Sequence, residues 1–166
     1  NKNKNHETVI KAIAHLKNPN IIYIICGEGP LRDYLINLSR ELGIEKQIKL
    51  LGYRTDIAEI CKSVDIFAFL SRREGLGIAA LEAMASGLPI LTSNVHGIVD
   101  YSENGKTGYT CNPLDYISLS KNIQKLISDA HLRIKMGKYN SLIAKQYDTK
   151  IVLDKIKKIY DDILTT

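Results

Sequence analysis

The 166-residue chain has no apolar run near the ~20 residues a membrane-spanning helix needs, which excludes a helical span. Its three cysteines, Cys26, Cys61 and Cys111, are odd in number and share no short spacing. A disulfide framework is therefore not encoded, and thiols acting as small core residues in a reducing, cytoplasmic compartment are expected. Internal repeats, low-complexity tracts and Pro/Gly/Ser-rich linkers are also missing. Lys and Arg exceed Asp and Glu by 23 to 18, a net charge of +5, yet the lysines are scattered, so no nucleic-acid groove is indicated. The opening carries neither Met nor a signal pattern. Asn1-Lys2-Asn3-Lys4-Asn5 runs straight into a helical pattern, which reads as an interior loop of a longer protein.

What is there is enough for one substantial core. With 45% hydrophobic and 25% charged residues, a chain of this length forms a single domain, 1–166, without metal or disulfide staples. Continuous apolar runs at Ile21–Cys26, Ile48–Leu51, Ile66–Leu70 and Pro89–Thr92, with a weaker one at Tyr109–Cys111, suit strands covered on both faces. Helical periodicity alternates with them over Glu7–Leu16, Leu31–Leu42, Asp56–Ser63 and Ile78–Ser86. It then continues through Leu114–Ser128, Ala130–Gln146 and Lys150–Leu164 as extra C-terminal helices. Gly43 and Gly87 stand where helix C-termini need a residue tolerant of positive φ. The alternation predicts an α/β fold, a Rossmann-like doubly wound parallel sheet with helices on both faces. No strand precedes the first helix, so one is expected outside this sequence or from residues the pattern undervalues.

In such sheets ligands bind at the carboxyl ends of the strands. Four segments occupy that edge: Gly27-Glu28-Gly29-Pro30, Gly52-Tyr53-Arg54, Ser71 to Gly77, and Ser93 to Gly97. Gly27 and Gly29 let main chain approach a ligand, and Pro30 suits a helix start. A geometric turn with no ligand explains these glycines about as well. A dinucleotide fingerprint would place a third glycine at position 32, where Arg32 stands, so a nicotinamide or flavin site is disfavoured.

The stretch from Ser71 to Ala85 is the most informative. A strand ends at Leu70, a loop holding Gly75 and Gly77 follows, and a helix opens near Ile78, whose first amides lack helical partners. Glu74 precedes those amides and Glu82 follows them by one turn. Carboxylates accept hydrogen bonds from paired sugar hydroxyls, and free amides serve phosphate oxygens, so a ligand combining both chemistries fits. The plainer alternative makes Glu74 a helix-dipole partner and Glu82 a solvated surface residue.

Glu74 and Glu82 with Gly75-Leu76-Gly77 between them, followed by Ala83-Met84-Ala85-Ser86-Gly87-Leu88-Pro89, resemble the Glu-x7-Glu signature of family 4 glycosyltransferases. Lys4-Asn5, Gly27-Glu28-Gly29-Pro30, Leu51-Gly52-Tyr53-Arg54, Ser63 to Phe67 and Asn104 to Tyr109 fall in the order that family shows. The resemblance implies the C-terminal, donor-binding lobe of a GT-B fold, with the acceptor lobe outside this chain. It implies transfer of a sugar from a nucleotide sugar, a UDP-sugar foremost, to a glycan or lipid-linked acceptor. Transfer would retain configuration and use no cofactor or metal, in bacterial polysaccharide or capsule synthesis. The whole protein could then touch the inner face of the membrane peripherally. By the same resemblance Glu74 is the catalytic residue and Lys4 contacts the diphosphate. Ser71, Gly75, Leu76, Gly77 and Ile78 hold the donor, Glu82 takes the ribose hydroxyls, and Tyr53 and Arg54 flank the base beside Gly27 and Gly29.

The sequence departs from the family at His96-Gly97 and Asp100, where two glycines and a Glu are usual. His96 at that position reads as a tolerated replacement before it reads as a base. A dinucleotide-dependent oxidoreductase domain and a non-catalytic domain that kept the fold are the competing readings. Ile151, Ile156, Ile159 and Ile163 form an apolar stripe on the last helix, expected to pack in part and to stay exposed in part.

Overall fold

The computed structural model describes residues 2–164. After a short 3-10 turn at Lys2–Lys4, helix α1 spans His6–Leu16. Its buried Val9, Ile10, Ala12 and Ile13 recur at helical spacing, while Glu7 and Lys11 pair at 2.6 Å on its polar side. The chain turns into α1 at Asn5, whose φ of 57° is the left-handed conformation that Asn tolerates better than most residues. There Thr8 Oγ1 donates to Asn5 Oδ1 (3.0 Å) and the Asn5 amide nitrogen donates to the Leu70 carbonyl (3.1 Å).

The order continues β1 (Tyr23–Cys26), α2 (Arg32–Glu41), β2 (Ile48–Gly52), α3 (Ile57–Lys62), β3 (Phe67–Phe69), α4 (Ile78–Ala85), β4 (Ile90–Ser93) and β5 (Gly108–Cys111). Helices α5 (Tyr116–Ser128), α6 (Ala130–Ala144) and α7 (Thr149–Leu164) close the described chain. Every strand and helix expected from periodicity is present within a few residues of its expected bounds. Gly43 and Gly87 take φ of 71° and 79° after α2 and α4, as a helix end requires.

All strand pairs are parallel, but they fall into two sheets, β1–β2 and β3–β4–β5. Among the described residues no strand bridges β1 and β3. Two apolar layers flank them. Helices α1, α2 and α5 bring Ile10, Leu35 and Leu119 onto one face, where Ile25, Ile48 and Leu91 meet them. Helices α3 and α4 bring Cys61, Leu81 and Met84 onto the other, against Phe69 and Ile90. Helix α6 reaches both layers through Met136 and Ala144, and buried Asn140 locks it by donating to the Leu88 and Thr107 carbonyls, each at 2.7 Å. Deleting a fully buried side chain here, Ile10→Ala or Leu119→Ala, costs ~2–5 kcal/mol.

The cysteines are free thiols, Cys61 and Cys111 buried and Cys26 half-buried. No helix among the described residues is long and apolar enough to cross a membrane. Helix α7 has no buried residue: Ile151, Ile156, Ile159 and Ile163 are all exposed, so the packing partly expected of this stripe is not made by the described chain.

Candidate functional site

The carboxyl ends of β1 and β3 and the turn before α1 converge. The Arg72 N–H donates to the Asn3 carbonyl (2.9 Å), Arg73 N–H to Asn3 Oδ1 (2.9 Å), and Asn3 Nδ2 to the Arg73 carbonyl (2.6 Å). These bonds across seventy residues of sequence fix Lys4 against the 71–77 loop. Its Nζ meets Glu74 Oε2 at 2.6 Å and lies 5.0 Å from the Phe69 ring centroid. Buried Ser71 donates to the same Glu74 oxygen at 3.3 Å, and Ser93 holds the Ser71 carbonyl. Glu74 thus sits in a fixed place, one-fifth exposed, with a cation and a hydroxyl on one oxygen.

The loop is tightly specified by two glycines. Gly77 has φ of 71°, and a Cβ there would stand 2.7 Å from the Phe69 ring and 2.8 Å from the Tyr101 hydroxyl. Gly97 lies against the Gly75 carbonyl, so the 93–97 segment supports the loop from behind. Helix α4 starts at Ile78 with Gly77 as its cap residue and no capping side chain, which leaves its first amides for a ligand. Glu74 does not cap it. Gly75, Leu76 and Ile78 are exposed, Leu76 at 47% and Ile78 at 66%.

Two cavities share Lys4 and His6. The first, about 1030 Å³, is lined by Gly27, Gly29, Cys26, Arg32 and Arg72 together with Lys2. Its lining carries four cations, Lys2, Lys4, Arg32 and Arg72, the second paired with Glu74, and two carboxylates, Glu7 and Glu28, a balance that favours an anion. Arg32 opens α2 and stands in this cavity where a third glycine would sit in a dinucleotide site. The second, about 690 Å³, contains Glu82, Ala79 and Phe69. Lys4 is thus bonded to Glu74 and shares a cavity with Glu82. Tyr53 and Arg54 line neither cavity: Tyr53 is 76% exposed, and the Arg54 guanidinium is taken by Asp56, which holds that carboxyl below its ordinary range.

Several groups here were not singled out from sequence. His6 Nδ1 lies 2.8 Å from the Tyr23 hydroxyl, and burial, with the Lys4 charge adding, pushes its pKa down to about 4. The Tyr101 hydroxyl is buried without a hydrogen-bond partner among the described residues, and burial with Glu74 nearby raises its pKa. Arg72 gave no signal beyond composition, whereas Asn3 and Asn5, on either side of Lys4, are a turn cue the sequence does carry. His96 is exposed with φ of 49° at a position where glycine would be unstrained.

The site is thus a Rossmann-like half-site with a cationic cavity, a helix start without a capping side chain and two carboxylates. Residues 1–142 match the sequence model of glycosyl transferases group 1, and the chain belongs to that family. It is 30% identical over 142 residues to the N-acetyl-alpha-D-glucosaminyl L-malate synthase of Bacillus anthracis, covering 85% of this chain and 37% of that protein. It is 31% identical over 147 residues to an Escherichia coli UDP-Gal:alpha-D-GlcNAc-diphosphoundecaprenol alpha-1,3-galactosyltransferase, covering 88% and 38%. Among solved structures, Anabaena HepE in complex with UDP superposes with a TM-score of 0.91 at 25% identity, over 98% of this chain and 46% of that one. The fold is that of a GT-B C-terminal domain, and the chain spans less than half the length of these relatives. None of them favours the dinucleotide reading.

Proposed function

We propose that this chain is the donor-binding lobe of a glycosyltransferase that takes a UDP-sugar and transfers its sugar, with retention of configuration, to a glycan or lipid-linked acceptor held by a second lobe. The observation that carries the reading is the Lys4–Glu74 pair set against the uncapped start of α4. Breaking a glycosyl–phosphate bond builds positive charge at the anomeric carbon and negative charge on the departing diphosphate. Glu74 opposes the first; Lys4 and the amides of Gly77, Ile78 and Ala79 oppose the second, already oriented before reaction. Donor entry draws Lys4 from Glu74 toward phosphate, leaving the carboxylate for the sugar.

Glu82 accepts the ribose hydroxyls, while Gly27 and Gly29 admit the nucleotide at the mouth of the cationic cavity, and Tyr53 and Arg54, which follow Gly52 of its lining, flank the base from outside it. Ser71 holds Glu74, and Gly75 and Leu76 shape the sugar pocket. UDP is favoured as the donor's nucleotide because HepE is solved with UDP and with UDP-glucose. A role in bacterial surface polysaccharide is supported by relatives such as the Staphylococcus aureus capsular polysaccharide glycosyltransferase CapM. A lipid-linked acceptor would place the reaction on the cytoplasmic side of the membrane. The test is turnover of a UDP-sugar panel by the full-length protein, with the anomeric configuration of the product read by NMR. Retained configuration and its loss in Glu74→Gln support the reading; an inverted product or an unchanged Glu74→Gln rejects it.

A further inference from the structure

The segment 93–101 meets the loop of Glu74 at two places. Gly97 lies against the Gly75 carbonyl, and the Tyr101 hydroxyl lies 2.8 Å from where a Gly77 Cβ would begin. The Phe69 ring stands 2.7 Å from that same position, so only a glycine at 77 leaves room for the hydroxyl. A hydrogen bond between Ser102 Oγ and Thr92 Oγ1 ties the segment to β4 and fixes Tyr101 there.

Tyr101 is 2% exposed, and its hydroxyl has no hydrogen-bond partner among the described residues. Phe69 offers no acceptor. The Tyr147 ring packs edge-on against Tyr101, 6.2 Å between centroids, but its own hydroxyl is turned to the Asp100 carbonyl (3.5 Å). Buried hydroxyls are almost always bonded, so one left unpaired in the resting fold calls for a partner that arrives later. Glu74 opens the loop that Gly77 closes, and its charge reaches the hydroxyl, where it adds to burial in raising the pKa. An ionised carboxylate accepts up to about four hydrogen bonds, and Glu74 Oε2 takes those of Lys4 (2.6 Å) and Ser71 (3.3 Å).

We propose that Tyr101 is a positioning residue for Glu74: when the donor diphosphate takes Lys4, the Tyr101 hydroxyl donates to the Glu74 carboxylate and, with Ser71, holds it toward the sugar. The inference rests on the roles given above to Glu74 and Lys4, and adds what replaces the departed cation. Gly75 and Leu76 bring no polar side chain to that task. A neutral donor suits it better than a second cation, because it fixes the carboxylate without cancelling the charge that opposes the anomeric centre. The raised pKa keeps the hydroxyl protonated and able to donate. The resting fold carries an unpaired hydroxyl until donor binds, a loss of stability of the kind that functional sites sustain.

The test is a double-mutant cycle on the full-length protein. The constants kcat and KM for a UDP-sugar are measured in Tyr101→Phe, in Glu74→Ala, which deletes the acceptor, and in the double variant, with melting points taken without donor. Tyr101→Phe is expected to lower kcat roughly tenfold or more, to leave KM within about twofold, and to melt no lower than the unaltered protein. In the Glu74→Ala background the same substitution is expected to change kcat by less than about twofold, because the hydroxyl acts through that carboxylate. Tyr147→Phe, the neighbouring hydroxyl deletion, is expected to keep kcat. An unchanged kcat in Tyr101→Phe overturns the proposal. So does an equal loss in both backgrounds, which would put the hydroxyl on the donor itself, or a loss matched by Tyr147→Phe together with a lower melting point. Full activity in Glu74→Ala rejects the catalytic reading and this inference with it, whereas an active Tyr101→Phe beside an impaired Glu74→Ala rejects the inference alone.

Discussion

Gly97 faces the carbonyl of Gly75 with no room for a side chain between them: a Cβ at 97 would stand 1.8 Å from that oxygen and 2.9 Å from its carbon. The neighbour is main chain, so the collision cannot be relieved by a rotamer change. Gly97→Ala is expected to destabilise by about 1–3 kcal/mol, seen as a melting point lower by roughly 3–10 °C. Gly75→Ala, whose Cβ would meet nothing within 4 Å, is expected to leave the melting point within about 1 °C.

Glu74 and Lys4 separate stability from catalysis. Their side chains are 19% and 43% exposed, so solvent screens the pair and its worth to folding is under ~1 kcal/mol. In the proposed reaction the same carboxylate would face developing charge in a preorganised site, where losing one such group costs ~10²–10³ in rate. Glu74→Gln is expected to shift the melting point by less than about 3 °C and to lower kcat at least 100-fold. A large stability loss with little change in kcat would reduce Glu74 to a structural role.

Tyr101 buries a hydroxyl with no partner, 2.8 Å from where a Gly77 Cβ would be. An unsatisfied buried hydroxyl costs ~1–3 kcal/mol. Tyr101→Phe is therefore expected to raise the melting point by a few degrees in the absence of donor. A drop in melting point shows instead that the hydroxyl is bonded in the folded protein.

His6 gives a pH signature. Its folded pKa of about 4 lies below its ordinary 6.5, so the unfolded chain binds more protons between those values and stability falls as pH falls. The contribution is whole above pH 6.5 and lost on approach to pH 4, amounting to at most about 3 kcal/mol. Denaturant titrations across that window are expected to show a shallower slope in His6→Gln. An identical slope in both proteins removes the histidine from the account.

Much of this was legible in the sequence. The strand runs and the helical patterns had two-faced and one-faced apolar spacing, and local chemistry and tertiary packing agreed on them. Glu74, Gly77 and the start of α4 were legible because a strand, a glycine loop and a helix follow one another within ten residues. What escaped was set by long-range placement. Asn3 was read as part of a bare opening and Asn5 only as half of the Lys4-Asn5 resemblance, yet they bind the chain 70 and 65 residues on. His6 looked like an ordinary helix-start residue and proved to line both cavities. Arg54, expected at the base, is paired with Asp56 two residues later, a local pairing the sequence shows once sought. The stripe on α7 was correctly periodic, and periodicity says nothing about whether a partner is at hand.

The most direct test of the donor site is calorimetric titration of UDP into the full-length protein and its Glu82→Ala variant, with NADH as the comparison ligand. The account predicts saturable UDP binding, a loss of at least tenfold in affinity in Glu82→Ala, and no heat from NADH. Equal UDP affinity in both proteins, or saturable binding of NADH in place of UDP, would contradict it.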